Sequence, residues 1–501
     1  MSKAPTVRRR ERRPPATLRT KTGCLNSSPE TSLSRLSRRT QPNTLTRSLV
    51  PIRPRTPAIP PSLSVDIDQG LIHHYTSRLC SLLLSRHAHP DYQRLFLQSS
   101  ILPKLQLMVE PLLACASLDL ARQFPAYRPL ALAYYAQAVS RTHRAIADKH
   151  VQGTEDWLLF NVLHLNLFET WNWGAASNAG KTTSPVLLHI QGAAQIFKLK
   201  LTLRQAVQPT IGDMAVARIA AEAFVYHTVN WALFHGNPIP ATTMPAAELW
   251  DGLQPYLDLQ PFPGAYDTET SPVLGVPWRL YRFLSDLTQL FYQRGGGGGG
   301  GGRGGKGHCD TSAVLSLRDQ LLAWERQEMQ HYEDGNREAT EPLMQLCPPP
   351  PPPTSPYRQR TRLFVLALKL LVLKLLHPTV ATTDARVQQL VHEATALIRA
   401  RDSTTGSAVV LERTDFWPLL IVGSAIVDRD QVAAVRTTLQ TMAETMHSVA
   451  FAKTKRALET IWAAGNSGGG GGIDGGSDND SDGLTMLLGG RVVPGLVHAA
   501  R

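Results

Sequence analysis

Between residues 63 and 464, large apolar residues recur every three or four positions, and nowhere do they alternate convincingly every second one. That period predicts helices and no sheet. The strongest stretch runs from Glu155 to Leu203. In its first half Trp157, Phe160, Leu163, Leu167, Phe168 and Trp171 follow a helical repeat. Leu158, Leu159, Val162 and Leu165 widen the stripe until the helix must be buried on most sides. The second half opens at Ser184-Pro185, where a hydroxyl can accept an orphan N–H and proline has a preset φ and no donor to waste. Val186, Ile190, Ala194, Phe197 and Leu201 then share one face, and Gln191-Gly192-Ala193-Ala194 keeps the middle thin. With the small polar loop Gly174–Thr183 between them, the two arms form a helical hairpin, expected to be the central scaffold.

The same spacing predicts helices over 68–84, 91–97, 104–124, 129–149, 215–234, 278–292, 312–332, 360–376, 384–400 and 416–427, and one long amphipathic helix over 431–462. Gly236 to Pro277 is rich in proline and reads as an irregular connection. Eight glycines at Gly295–Gly302 and six prolines at Pro348–Pro353 mark low-complexity insertions, at 294–311 and 333–359. Residues 1–62 hold only scattered aliphatic side chains and no aromatic one, and 465–501 are rich in Gly and Asp, so neither offsets the entropy of ordering. The expected layout is a disordered arm (1–62), an all-α helical bundle or array (63–464) and a disordered tail (465–501).

Charge adds one feature. The formal net charge is +12, and the 14 Lys/Arg and 2 Asp/Glu of residues 1–62 account for all of it. The body is neutral and the arm basic. Arg8, Arg9, Arg10, Arg12 and Arg13, in Val7–Arg13, are candidates for weak, sequence-independent nucleic-acid contact or a nuclear import signal; the competing reading is a solvated tail. The five cysteines have no repeated spacing, so neither a disulfide framework nor a complete metal site can be written from them. The N-terminus lacks the apolar run of a secretory signal. The longest apolar run, Leu363 to Leu376, is interrupted by Lys369 and Lys374 and falls short of the roughly 20 residues of a membrane span. The expectation is a soluble intracellular protein with no membrane partner.

Other constellations yield to plainer readings. Gly475 to Gly483 superficially resembles a calcium-binding Gly/Asp repeat, but those folds stack several copies and here there is one. The same aspartates would suit a metal-dependent helical enzyme only if a helix held them at a pocket, and they lie in a glycine tail. His73-His74 and His87/His89 lack partners at ligand spacing and read as surface or cap histidines. Gly295 to Lys306 follows a helix rather than a strand and lacks the Gly-Lys-Ser/Thr ending of a phosphate loop. No catalytic pair emerges. Trp157, Trp171, Trp173, Trp231 and Trp417 fit core better than a ligand box, although so large a helical domain can enclose an effector pocket.

The order of helices, the hairpin ending LLHIQGAAQIFKLK, the segment TDFWPLLIVGSAIVDRDQVAAVR (Thr414 to Arg436) and the closing Leu458-Glu459-Thr460-Ile461-Trp462 together resemble the fungal-specific regulatory domain that follows a binuclear zinc cluster in fungal transcription factors. The resemblance covers roughly residues 65 to 465, and its specificity lies in order and spacing rather than in any one motif. It implies a nuclear transcriptional regulator whose helical domain controls activity, dimerises or senses a small effector. In that family a six-cysteine cluster reads DNA. Here Arg19 to Leu25 is similar to the lead-in, with Cys24 a remnant of the first zinc ligand, but Asn26-Ser27-Ser28 stand where the second cysteine and basic helix belong. No cysteine lies between Cys24 and Cys80, so the arm cannot supply six thiolates for two zinc ions. Either the gene model leaves the cluster's frame near Cys24 or the protein has lost the cluster; the abrupt departure favours the first. Zinc, and specific DNA as a partner, are expected only with a complete cluster. The alternatives are a cluster-less interaction module or co-regulator and, more remotely, a helical enzyme.

Overall fold

The computed structural model describes residues 61–149, 151–172, 184–203, 209–235, 246–262, 271–295, 311–338, 356–399, 411–446, 448–467 and 483–488. Among these every regular element is a helix. α1 (Pro61–His74) passes through a π-helical turn, Tyr75–Leu79, into α2 (Cys80–Leu83). α3 (Asp91–Leu95) leads through a second π turn, Phe96–Ile101, towards α4 (Leu105–Leu120), followed by α5 (Arg128–Ala147). The predicted hairpin is α6 (Asp156–Asn172) and α7 (Pro185–Thr202). Then come α8 (Ile211–His235), α9 (Ala246–Leu257), α10 (Trp278–Gly295), α11 (Thr311–Glu338), α12 (Pro356–Leu376) and α13 (Ala385–Arg399). The chain closes with α14 (Phe416–Ser424), α15 (Arg429–Thr445), α16 (Val449–Ser467) and α17 (Gly483–Leu488).

α6 explains the architecture. Every residue from Leu158 to Phe168 is buried, because α4, α5, α7 and α8 pack around it. Burying a Leu or Phe side chain stabilises by about 1.5–3 kcal/mol, so this helix is a large part of what holds the N-terminal half together. The cost is three buried polar side chains: Asn161 Nδ2 donates to Leu107 O (3.1 Å) while its Oδ1 stays without a partner, Asn166 Nδ2 donates to Val186 O (3.1 Å) on α7, and His164 is bonded at both ring nitrogens. At the hairpin's open end Lys200 pairs with Asp156 at 2.5 Å. The basic second arm is thus partly committed within the hairpin. α8 carries the core on to α10, which meets α12, and α12 packs on α14. All nine residues of α14, including Trp417, are buried.

The run Asp91–Leu120 is long and apolar enough, by length and composition, to cross a membrane. Its residues Tyr92, Phe96, Ile101, Met108, Leu112 and Cys115 are instead buried inside the protein. The interrupted run Leu363–Leu376 is likewise a core helix, with Lys374 Nζ donating to Val380 O at 2.8 Å.

Four expectations change. The single helix over 431–462 is two, α15 and α16, because the chain turns at Met446 and folds back. Lys455 Nζ reaches Gln440 Oε1 at 2.5 Å and the Arg436 guanidinium lies 5.3 Å from the Trp462 ring, the pairing of an antiparallel hairpin. Folding back lets the stripe of Val435, Leu439 and Met442 be buried, which one straight helix would not achieve. α9 lies within the connection read as irregular, where Leu249, Trp250, Leu253 and Leu257 bury a helical face despite Pro255 near its end. Ser184 is at the N-cap with extended backbone (ψ 134°), yet its hydroxyl makes no cap bond; its carbonyl accepts from Leu188 N instead. The tail is not wholly without structure: in α17 Leu484 and Leu487 are buried against α14 and α16. Gly483 permits that approach, since a Cβ there would stand 2.3 Å from Ser424 O. The tracts Gly296–Gly302 and Pro348–Pro353 lie outside the described residues.

Candidate functional site

The segment Ser271–Val276 crosses the middle of the protein without regular structure, and its backbone polar groups must find partners in the interior. Two buried ion pairs supply them. On one side Arg218 and Glu222, one turn apart on α8, are paired at 2.6 Å. Glu222 Oε2 then accepts from Val273 N (2.8 Å), Leu274 N (3.0 Å) and Ser271 Oγ (3.1 Å). On the other side Arg360, at the start of α12 and fully buried, donates through Nη1 to Gly275 O at 3.0 Å. Its remaining donors go to Glu412 Oε2 (3.0 Å), Asp415 Oδ1 (Nη2, 2.9 Å; Nε, 3.1 Å) and Thr414 Oγ1 (2.8 Å). Every guanidinium nitrogen is therefore engaged. Glu412 Oε1 further accepts from Ser85 Oγ and Arg86 N, both at 3.0 Å, and Ser85 N donates to Pro272 O at 2.6 Å. Gly275 has φ +63°, and a Cβ on it would come within 2.6 Å of Arg360 Nη1 and Glu412 Oε2, so glycine is required there on both counts. Burial lifts the Asp415 carboxyl and Arg360 draws it back, while the two carboxylates beside Arg360 outweigh its desolvation and hold it charged.

This frame supports the walls of two adjoining cavities. The first, about 50 Å³, lies between α2, α6 and α8, with Leu83, Phe96, Phe160, Leu163 and Ile219 among its apolar walls and His164, His227 and Arg413 as its polar groups. The second, about 40 Å³, shares Leu83, Leu84, Val273 and Arg413 with the first and adds Asp119, Arg122 and Trp171. Both π turns adjoin the apolar cavity, one contributing Phe96 and the other leading directly into Cys80. Such turns re-aim side chains that a regular helix would direct elsewhere, and they recur at functional sites.

His164 Nε2 accepts from the Tyr75 hydroxyl (2.6 Å) and Nδ1 donates to Phe160 O (2.7 Å), a tautomer set by these partners. Burial pushes its pKa down to about 4, opposed by the Phe160 carbonyl. Burial, then repulsion from Arg413 and His164, pushes His227 down to about 3. Both histidines are neutral at physiological pH. Arg413 lies 4.8 Å from the Tyr226 ring centroid. Cys80 and Cys115 are free and buried, and burial raises the Cys80 thiol to about 12, so neither is a poised nucleophile.

Arg8, Arg9, Arg10, Arg12, Arg13 and Cys24 lie outside the described residues. His74 Nε2 donates to Asp119 Oδ2 at 3.0 Å, and His89 stacks on Phe262 with ring centroids 4.0 Å apart, so both have structural partners. Among the described residues no group of three His, Cys, Asp or Glu could hold a metal ion. With five cysteines in the whole chain, the six-thiolate zinc cluster of the resembling family does not fit these residues. Arg360, Glu412, Asp415 and Arg413 carry the frame and the cavity, yet sequence patterning passes over them, because isolated charges ordinarily mark solvated faces. The available signals were Arg218 and Glu222 on an otherwise small, apolar helix, and Asp415 adjoining the apolar run that begins at Phe416.

The described residues thus form an all-helical domain with an apolar pocket between α2, α6 and α8. Residues 70–474 match the family model of the fungal specific transcription factor domain, and the chain belongs to that family. Its role is the regulation of transcription. No curated protein and no solved structure matches the chain.

Proposed function

We propose that the protein is a nuclear regulator of RNA polymerase II transcription whose helical domain, residues 63–464, sets its activity, while the arm 1–62 contributes only weak, sequence-independent attraction to DNA. The family match over residues 70–474 carries this reading. The cavities support it: their walls come from both halves of the chain, so an occupant would touch α6 and α8 on one side and the turn Glu412–Thr414 before α14 on the other. Regulation, not turnover, is the activity assigned, and the partners that fit are DNA, co-regulator proteins, a second copy of the chain and a small effector.

Without six cysteines the chain lacks the family's DNA reader, which favours a second reading as a co-regulator that reaches promoters through another protein. Two measurements test these readings. The purified 501-residue chain should bind DNA of unrelated sequences equally, weakening steeply with salt, and replacing Arg8, Arg9, Arg10, Arg12 and Arg13 with serine should flatten the salt slope. Tight sequence-specific binding near physiological salt overturns that part. Fused to a heterologous DNA-binding module, the chain should change reporter output in nuclei, and a silent reporter overturns the regulatory reading.

A further inference from the structure

α14 is apolar along nearly its whole length, and all nine of its residues are buried. A helix hydrophobic on every side has to be covered on every side. Four of its covers are long: α12 (21 residues), α13 (15), α15 (17) and α16 (19). The fifth, α17, has six residues and packs on both α14 and α16. Two leucines at i and i+3, Leu484 and Leu487, are 2 % and 4 % exposed there. Gly483 sets how closely the helix sits: a Cβ at that position would stand 2.3 Å from Ser424 O on α14 and 2.5 Å from Ile461 Cγ2 on α16. That carbonyl belongs to a residue which is itself buried and cannot turn aside, so the seat admits only glycine.

A helix of six residues does not persist alone in water. Burying two leucines is worth about as much as ordering six residues costs, so α17 is held weakly beside the longer covers. When it leaves, the wall of α14 and α16 beneath it is an uncovered apolar channel, and anchors at i and i+3 are the pattern by which a helix docks in such a channel. We propose that the channel between α14 and α16 is a docking groove for a helix of a partner protein carrying Gly-Leu-x-x-Leu, and that α17 is its resident competitor. A second copy of this chain offers the identical helix without the tether 468–482, which holds the resident at roughly millimolar effective concentration, so the copy loses to it. A partner whose helix is longer, and so formed before it docks, wins. The groove rests on the regulatory reading above for any consequence in transcription, though not for binding itself.

The test uses the full chain and a labelled synthetic peptide of residues 478–490, DNDSDGLTMLLGG, read by fluorescence anisotropy. In the parent α17 competes, whereas Leu484→Asp with Leu487→Asp vacates the groove, so the peptide should bind that variant about ten-fold or more tighter than the parent. A stapled form of the peptide, helical before it docks, should bind the parent as well and displace α17. Gly483→Ala in the peptide raises its helix propensity and should nevertheless abolish binding, because the added Cβ meets Ser424 O. Equal affinity for parent and variant, no binding to the variant at millimolar concentration, or undiminished binding of the Gly483→Ala peptide overturns the groove. A dimer of the parent that the double substitution dissolves assigns the channel to a second copy and overturns the resident helix. If the double variant fails to fold, Gly483→Ala in the full chain, which unseats α17 without adding a charge, takes its place. Failure of the peptide to bind leaves the tethered reporter result standing, and a silent reporter leaves peptide binding standing, so the two ideas fail separately.

Discussion

Replacing Arg360 with methionine keeps most of the side-chain volume and removes the guanidinium. Asp415 and Glu412 are then left 0 % and 5 % exposed with their common cation gone, and Gly275 O and Thr414 Oγ1 lose a donor. Breaking a buried pair from one side costs about 3–5 kcal/mol, because the surviving charge stays desolvated. Against a total stability of about 5–15 kcal/mol, that is a large fraction. Thermal and urea unfolding should both move, the melting temperature by roughly 4–6 °C. The pH dependence separates this cause from mere loss of packing. In the variant, burial acts on Asp415 without Arg360, so its folded pKa rises further above the ordinary 3.8. Between those two values the folded variant holds a proton that the unfolded chain does not, so its stability rises as pH falls through the folded pKa. The deficit relative to the parent should therefore shrink between about pH 7.5 and pH 5, and adding Asp415→Asn should recover part of it at neutral pH. A urea midpoint within error of the parent, or a deficit that stays constant with pH, would refute the ionic account of the frame.

Two further outcomes are expected. The folded-state pKa values of His164 and His227, about 4 and about 3, lie below the ordinary 6.5, so in acid the unfolded chain takes up protons first. The stability tied to their neutral forms is complete above pH 6.5 and declines as pH falls towards 4 and 3, by about 2 kcal/mol each at pH 5. A urea series on the parent and His227→Gln should show a shallower acid loss in the variant, and parallel curves would contradict it. Asp428 Oδ1 accepts from Gln431 N at 2.8 Å at the start of α15. Asp428→Ala should cost about 1 kcal/mol in thermal melts, and Asp428→Asn should restore most of it.

The helical class, the complete burial of α6 and the α6–α7 hairpin were legible in the sequence because apolar spacing is a local property, written within a dozen residues. The same locality explains the misses. The break at Met446 depends on what α15 and α16 can bury by folding against each other, and a window centred on 431–462 contains only a sustained helical pattern. The helix over 246–257 had its apolar period, but proline-rich surroundings outweighed it. Nothing local distinguishes Arg360 from a solvated arginine: its partners sit at 275, 412, 414 and 415, and become neighbours only when Ser271–Val276, α12 and the approach to α14 meet in the interior. Arg413 and Arg122 likewise face one cavity only because α4 ends where the 3₁₀ turn before α14 begins its descent into the core. By itself, then, the sequence determined the helical class, the burial of α6 and that the excess charge lies in the arm. Tertiary structure decided which charges are interior, because desolvation and pairing depend on neighbours brought together from distant parts of the chain.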